Sequence, residues 1–153
     1  MKLTLLLLAG AFLIGGGGFM FFKNNQVPGH VGNETGDFAE VPSSPNAVSS
    51  QTDVEGKYVE PIPFSGDVEV ARETLKTVLQ NMGAIHLENV SDRYIHAVYT
   101  TNLMRYKNDI EFFFDEEARN IHYRSESRVG YSDMGENRKQ YEMIRQKFEE
   151  QIH

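Results

Sequence analysis

The sequence predicts an α+β domain: a four- to five-stranded antiparallel sheet with two helices packed on one face, preceded by an N-terminal transmembrane helix. Three observations carry this. Residues 3–22 hold no charged side chain. Four segments between Ala84 and Val129 alternate or cluster their apolar residues at strand spacing, with short turn signals between them. A segment with apolar residues at helical spacing flanks that block on each side. Consecutive strands joined by short turns imply an antiparallel sheet, and helices at both ends pack on one face of it.

The apolar run, LTLLLLAGAFLIGGGGFMFF, spans roughly 30 Å as a helix, about one hydrocarbon core. Lys2 and the terminal amine precede it, Lys23 follows, and the next lysine or arginine is Lys57. That flank favours the N-terminus inside. The expectation is a single-pass protein of the cell membrane with its domain outside the cytoplasm. The competing reading is a cleaved secretory signal and a secreted domain. Ala9-Gly10-Ala11 fits a small-residue cleavage site, but apolar residues continue to Phe22. Gly15 to Gly18 weaken a helix in water by up to about 1 kcal/mol each, an objection that lessens in lipid. The expected division is residues 1–23 as anchor or signal, 24–41 as a flexible stalk, and 42–153 as one α+β domain.

The soluble part is long enough for one core and too short for two. The net charge of −7 argues against nucleic acid, whose non-specific binding is driven by phosphate neutralisation. The absence of cysteine excludes disulfides, thiolate nucleophiles, cysteine-ligated metals and a lipidated N-terminal cysteine. No metal site and no cofactor is expected.

Residues 24–41 are polar and glycine-bearing, without periodicity, hence the stalk. Pro42 to Gln51 is dense in turn formers and reads as irregular. Tyr58 to Phe64 alternates apolar residues with prolines, so it is at best an edge strand or extended coil. Asp67 to Met82 is a helix with Val68, Ala71, Leu75, Val78, Leu79 and Met82 on one stripe, capped by Asp67 and ended by Gly83. Strands follow at Ala84–Asn89, Arg93–Thr101, Asp109–Phe114 and Asn120–Val129. Turn signals stand at Asn89–Asp92, Lys107-Asn108 and Asp115–Glu117. The last helix runs from about Met134 to Gln151. Asp133 and Glu136 form a capping-box-like pair at its start, and Met134, Tyr141, Ile144, Phe148 and Ile152 its apolar stripe.

Three runs are distinctive: Pro42–Ser50 (PSSPNAVSS), Asn108–Phe112 (NDIEF) and Arg124–Arg138 (RSESRVGYSDMGENR). In this order, across Val41 to Phe148, they resemble the domain-of-unknown-function family 1499 of bacteria and photosynthetic eukaryotes. The resemblance implies an uncharacterised, membrane-anchored or exported protein and no particular reaction. Members often carry cysteines where this chain has Val41 and Ala47, so the resemblance carries no thiol chemistry over to it.

The alternation of the fourth strand puts Ile121, Tyr123, Ser125, Ser127 and Val129 on one face and His122, Arg124, Glu126 and Arg128 on the other. Paired with the third strand, Asp109 and Glu111 meet Arg124 and Arg128. One reading is a cross-strand ion-pair ladder on a solvent face, of small energetic weight. The other is an anion site: Arg124, Arg128 and Arg138, with Asn137, converging where the strand turns through Gly130 into the last helix, whose N-terminus adds amide donors. Asp133 and Glu136, already at that positive end, argue against it. Asn46, Ser49, Ser50, Asp109, Glu111 and Asp133 support the motif, with Asn137 and Arg138 tying Pro42–Ser50 to the sheet.

No G-x-S-x-G elbow is present, and no histidine pair has metal-ligand spacing on a helix. Ser49, Ser50, His86, His96 and His122 are therefore not by themselves a catalytic set. The expectation is an extracytoplasmic, membrane-anchored, non-enzymatic module that binds a small anionic ligand or a partner. The alternatives are a small envelope hydrolase and a lipid-binding module with Tyr99, Phe112, Phe114 and Tyr141 lining an apolar pocket. Arginines saturated by Asp109, Glu111 and Asp133 would favour a structural motif; a solvent-open serine–histidine contact would favour the hydrolase.

Overall fold

The computed structural model describes residues 15–152. Residues 1–14, which hold most of the run expected to span the membrane, lie outside the described residues. Among the described residues, no helix is long and apolar enough to cross a membrane. Helix α1 occupies residues 15–25. There follow β1 (Ala47–Ser49), β2 (Ile62–Pro63), α2 (Val68–Asn81), β3 (Ile85–Val90), β4 (Tyr94–Thr100), β5 (Lys107–Asp115), β6 (Asn120–Ser127) and α3 (Glu136–Gln151).

The class is α+β and the sheet is antiparallel, as expected, but it has six strands rather than four or five. The order is β1-β6-β5-β4-β3, and β2 adds to the same edge of β6 further along. The extra strands come from segments read as irregular. Ala47–Ser49 pairs with Arg124–Glu126, and Ile62-Pro63 with Asn120-Ile121. Their shortness explains the miss, because a two- or three-residue strand leaves no periodicity to read.

The inner face of the sheet presents Ile95, Ala97, Ile110, Phe112, Phe114, Ile121 and Tyr123 to Ala71, Leu75 and Leu79 of α2 and Tyr141, Ile144 and Phe148 of α3. Burying each large apolar side chain contributes about 1.5–3 kcal/mol. Phe112 and Tyr141 both pack on Tyr123, and Phe114 meets Phe64 edge-on. These aromatics fill the core instead of lining a cavity.

Asp67 caps α2 by accepting from the Glu69 amide at 2.7 Å. The start of α3 departs from expectation. Its N-cap is Gly135, at φ +81° and without a side-chain cap bond. Asp133 still accepts from the amides of Gly135 and Asn137, at 3.0 and 2.9 Å, but from outside the helix. Met134 therefore leaves the apolar stripe: it stands at φ +54° and is 97% exposed. Lys107 and Asn108, read as a turn, begin β5, and the turn lies before them.

The larger departure is on the outer face. Residues 24–40, expected to be a stalk, lie across it. The Gly32 amide donates to Tyr94 Oη at 3.1 Å and Glu111 Oε1 at 3.2 Å. The Ala39 carbonyl accepts from Arg124 Nε at 2.9 Å, and Asn24 O from Arg128 Nη1 at 3.3 Å. Gly36, at φ +95°, lies so close to Phe113 that a Cβ there would fall 2.6 Å from the ring. The sheet is thus covered on both sides, and β5 is buried from Asn108 through Phe114.

Candidate functional site

Strand alternation puts Tyr94 and His96 of β4, Asp109 and Glu111 of β5, and Arg124 and Glu126 of β6 on the outer face, with Arg128 just beyond β6. The expected pairing of Asp109 and Glu111 with the two arginines is present, but it is buried rather than solvated. Arg124 and Arg128 are 1% and 5% exposed, Asp109 and Glu111 each 1%. Arg124 donates to Glu111 Oε2 at 3.2 Å and is also paired to Glu126. Arg128 holds Asp109 through Nε and Nη2, both at 2.7 Å, and His96 Nε2 lies 2.8 Å from the same carboxylate. Tyr94 Oη donates to Glu111 Oε1 at 2.7 Å. His30 meets Glu126 at 3.1 Å.

This layer shapes its own titration. Burial would raise the Asp109 carboxyl, but the hydrogen bonds and charges of Arg128 and His96 outweigh it and hold the group below its ordinary value. Burial, reinforced by Glu111, pushes the Tyr94 hydroxyl upward.

The four residues read as an anion site do not converge. Arg124 and Arg128 face outward, under residues 24–40, and are saturated by carboxylates and carbonyls. Asn137 lies on the inner side, fully buried. Its Oδ1 accepts from Ser125 Oγ, while Nδ2 donates to Asn46 O at 2.9 Å, Ser127 Oγ at 3.1 Å and Asp133 Oδ2 at 2.7 Å. Arg138 donates to the carbonyls of Gly56 and Tyr58 at 3.0 and 2.8 Å. The physical reason is the strand period: residues one apart point to opposite faces, and a helix packed on one face cannot aim at the other.

Of the two residues of α3 expected to tie the Pro42–Ser50 segment down, Asn137 does so through Asn46 O, whereas Arg138 bonds the Gly56 and Tyr58 carbonyls beyond that segment. Asn46 Nδ2 donates to Gly130 O at 3.1 Å and Ser127 O at 3.3 Å. Ser49 Oγ accepts from the Gln51 amide at 3.1 Å. Between the two segments opens a cleft of about 480 Å³. Pro45, Ala47, Val48, Asp133, Met134 and Arg138 line it. Of the three arginines once grouped, Arg138 alone borders it. Tyr131, 79% exposed, stands on the same loop as Met134.

Sequence reasoning left a second constellation unassembled. Ser50 Oγ lies 3.2 Å from His122 Nδ1, and His122 Nε2 lies 3.9 Å from Asp115 Oδ2. Strand pairing makes this contact: the Ser50 amide bonds to Tyr123 O at 2.8 Å. The only signal in the sequence was the residue types, since β1 itself was not legible. Ser50 is 8% exposed and its Oγ accepts the Tyr123 amide at 2.9 Å. Asp115 caps the next turn through the amides of Glu117 and Ala118, both at 3.0 Å.

Among the described residues, no group of three or more histidine, aspartate or glutamate side chains could hold a metal ion. A family model described as "Protein of unknown function (DUF1499)" matches residues 37–148. No curated protein and no solved structure matches the chain.

Proposed function

We propose that this chain, which belongs to the DUF1499 family of proteins of unknown function, is a membrane-tethered, extracytoplasmic, non-enzymatic binding module. Its ligand or partner enters the cleft between Pro42–Ser50 and the start of α3. The observation that carries this is the cleft itself: two of the three distinctive sequence runs, with residues 55–57, form its walls, and Met134 is held beside it in a left-handed backbone with its side chain in water. Such strain on a non-glycine residue costs of order 1–3 kcal/mol and clusters at working surfaces. The cleft offers Ala47, Val48 and Met134 as an apolar seat, with Lys57 and Arg138 as cations and Glu55 and Asp133 as carboxylates around it. A small ligand or a chain segment with an apolar group flanked by polar groups of both signs fits that chemistry.

Support for the tether is the uncharged run of residues 3–22, with Lys2 before it and Lys23 after it. Native mass spectrometry of the full chain, purified from its own host in mild detergent, tests the binding reading. A co-purifying species is expected, and Met134→Asp should reduce its occupancy at least about tenfold, the equivalent of 1.4 kcal/mol. Val70→Asp, on the exposed side of α2, should not. Occupancy equal in all three proteins would sink the cleft as the binding site.

The Ser50–His122–Asp115 contact favours a second reading, a small envelope hydrolase with Ser50 as nucleophile and His122 as base. Labelling of the full chain by a fluorophosphonate, abolished in Ser50→Ala and in His122→Ala, is the result that reading requires.

A further inference from the structure

Helix α1 ends on the loop between β4 and β5, and the contact is specific. Asn24 Nδ2 donates to Arg105 O at 2.9 Å, and Asn24 Oδ1 accepts from the Lys107 amide at 2.9 Å. Lys107 Nζ donates to Asn25 Oδ1 at 3.0 Å. Met20 and Phe21 of the helix share a cleft of about 540 Å³ with Met104, Arg105 and Lys107. At this corner Phe19, Phe21 and Phe22 are 67%, 73% and 59% exposed, and Leu103 and Met104 are 90% and 59% exposed. Adjoining exposed apolar side chains of this size mark an interaction surface.

Charge is distributed to match. In a chain of net charge −7, residues 15–33 and 100–108 contain no aspartate or glutamate. Lys23, Arg105 and Lys107 are the lysines and arginines there, and none of these three has a carboxylate within 4.0 Å among the described residues. The opposite end of β5 carries the acidic turn Asp115-Glu116-Glu117, about 27 Å away at the rise of a strand.

We propose that the β4–β5 loop is a second membrane-contacting element, docked on an anionic phospholipid surface beside the N-terminal helix. Leu103 and Met104 enter the boundary between headgroups and acyl chains, while Lys23, Arg105 and Lys107 lie at the phosphates. The proposal rests on the tethered reading above and goes beyond it. If residues 3–22 cross the bilayer, Asn24 sits at its surface, and the backbone bonded to the Asn24 side chain sits at the same depth. The loop cannot then stand clear of the headgroups. Interfacial binding of this kind combines buried apolar area with attraction to anionic lipid.

The absence of native cysteine makes the test direct. Leu103→Cys and Glu117→Cys are labelled with an environment-sensitive fluorophore in the full chain, reconstituted in phosphatidylcholine–phosphatidylglycerol vesicles. The Leu103 probe is expected to emit further to the blue. It should also be quenched at least about threefold more by lipids carrying a nitroxide near the headgroup than the Glu117 probe, as a shallowly inserted side chain would be. A Leu103 probe as open to aqueous iodide as the Glu117 probe, in protein that resists carbonate extraction, overturns the proposal and leaves the tether standing. Protection from iodide without lipid quenching means that protein covers the loop, and also overturns it. Extraction by carbonate removes the tether and the proposal together.

Discussion

Arg128 grips Asp109 with two parallel hydrogen bonds, Nε to Oδ2 and Nη2 to Oδ1, each 2.7 Å. Both side chains are nearly out of water, at 3% and 2% exposure. A bidentate pair offsets its desolvation only while both partners remain. Asp109→Asn is therefore expected to destabilise the fold by about 3–5 kcal/mol, because it strands a buried guanidinium. Asp109→Leu combined with Arg128→Met should cost much less than the single change. Urea unfolding of the parent, Asp109→Leu, Arg128→Met and the double variant, followed by tyrosine fluorescence, reads the coupling directly.

The same pair sets an acid limit. The folded Asp109 carboxyl is held below its ordinary value, so it contributes stability that is fully present above about pH 3.9, the unfolded value. That contribution fades as pH falls from there through the lower folded value. Stability measured between pH 6 and pH 2 should fall less steeply on the acid side in Asp109→Asn than in the parent. Equal slopes would mean that other carboxylates carry the acid transition.

Gly36 reports on the covering segment. A Cβ at this position meets the Phe113 ring and requires a left-handed backbone. Gly36→Ala should lift the segment around Gly36 locally rather than unfold the domain, because the helical core lies on the other face of the sheet. Hydrogen exchange at the Gly32 amide, which donates to Tyr94 and Glu111, should speed at least about tenfold, an opening cheaper by about 1.4 kcal/mol. Exchange in α2 should not change.

Asn137 braces the cleft through its amide nitrogen, which has three acceptors. Asn137→Asp keeps the shape but replaces that donor with an oxygen facing Asp133 and the Asn46 carbonyl. It should cost about 2–4 kcal/mol near pH 7, more than Asn137→Ala. The gap between the two variants should close on acidification, when one carboxyl is protonated. Thermal unfolding at two pH values checks the sign.

The periodic elements were legible in the sequence. Helix α2 and strands β3 to β6 lie within two residues of their expected bounds, because each has a face in the core that imposes its spacing on the sequence. That Asp109 and Glu111 meet Arg124 and Arg128 across the strands was legible too, since alternation and opposite charge suffice to suggest it, although not which acid takes which arginine. Their burial was not. A strand reading acid, apolar, acid, aromatic resembles a half-solvated strand, and what covers its polar face is a polar segment without periodicity. Such a segment is held by backbone groups, as where Ala39 O and Gly32 N are used, and backbone groups have no sequence signature. Ser50 and His122 stayed apart for a related reason, since their meeting depends on a strand of three residues.

The covering segment also fixes the order in which the molecule can be completed. Ala39 waits for Arg124, 85 positions later, and Asn24 for Arg128, 104 positions later. At ribosomal speeds that interval is roughly 5–20 s. During it residues 24–40 have only the part of their site that β4, β5 and the loop between them supply, and the sheet still lacks the strand that holds Ala39. The last partners made, Arg124 and Arg128, are also the cations that neutralise Glu111 and Asp109. Nascent chains halted before Arg124 should therefore engage chaperones, and release from them should track synthesis of β6 rather than of α2.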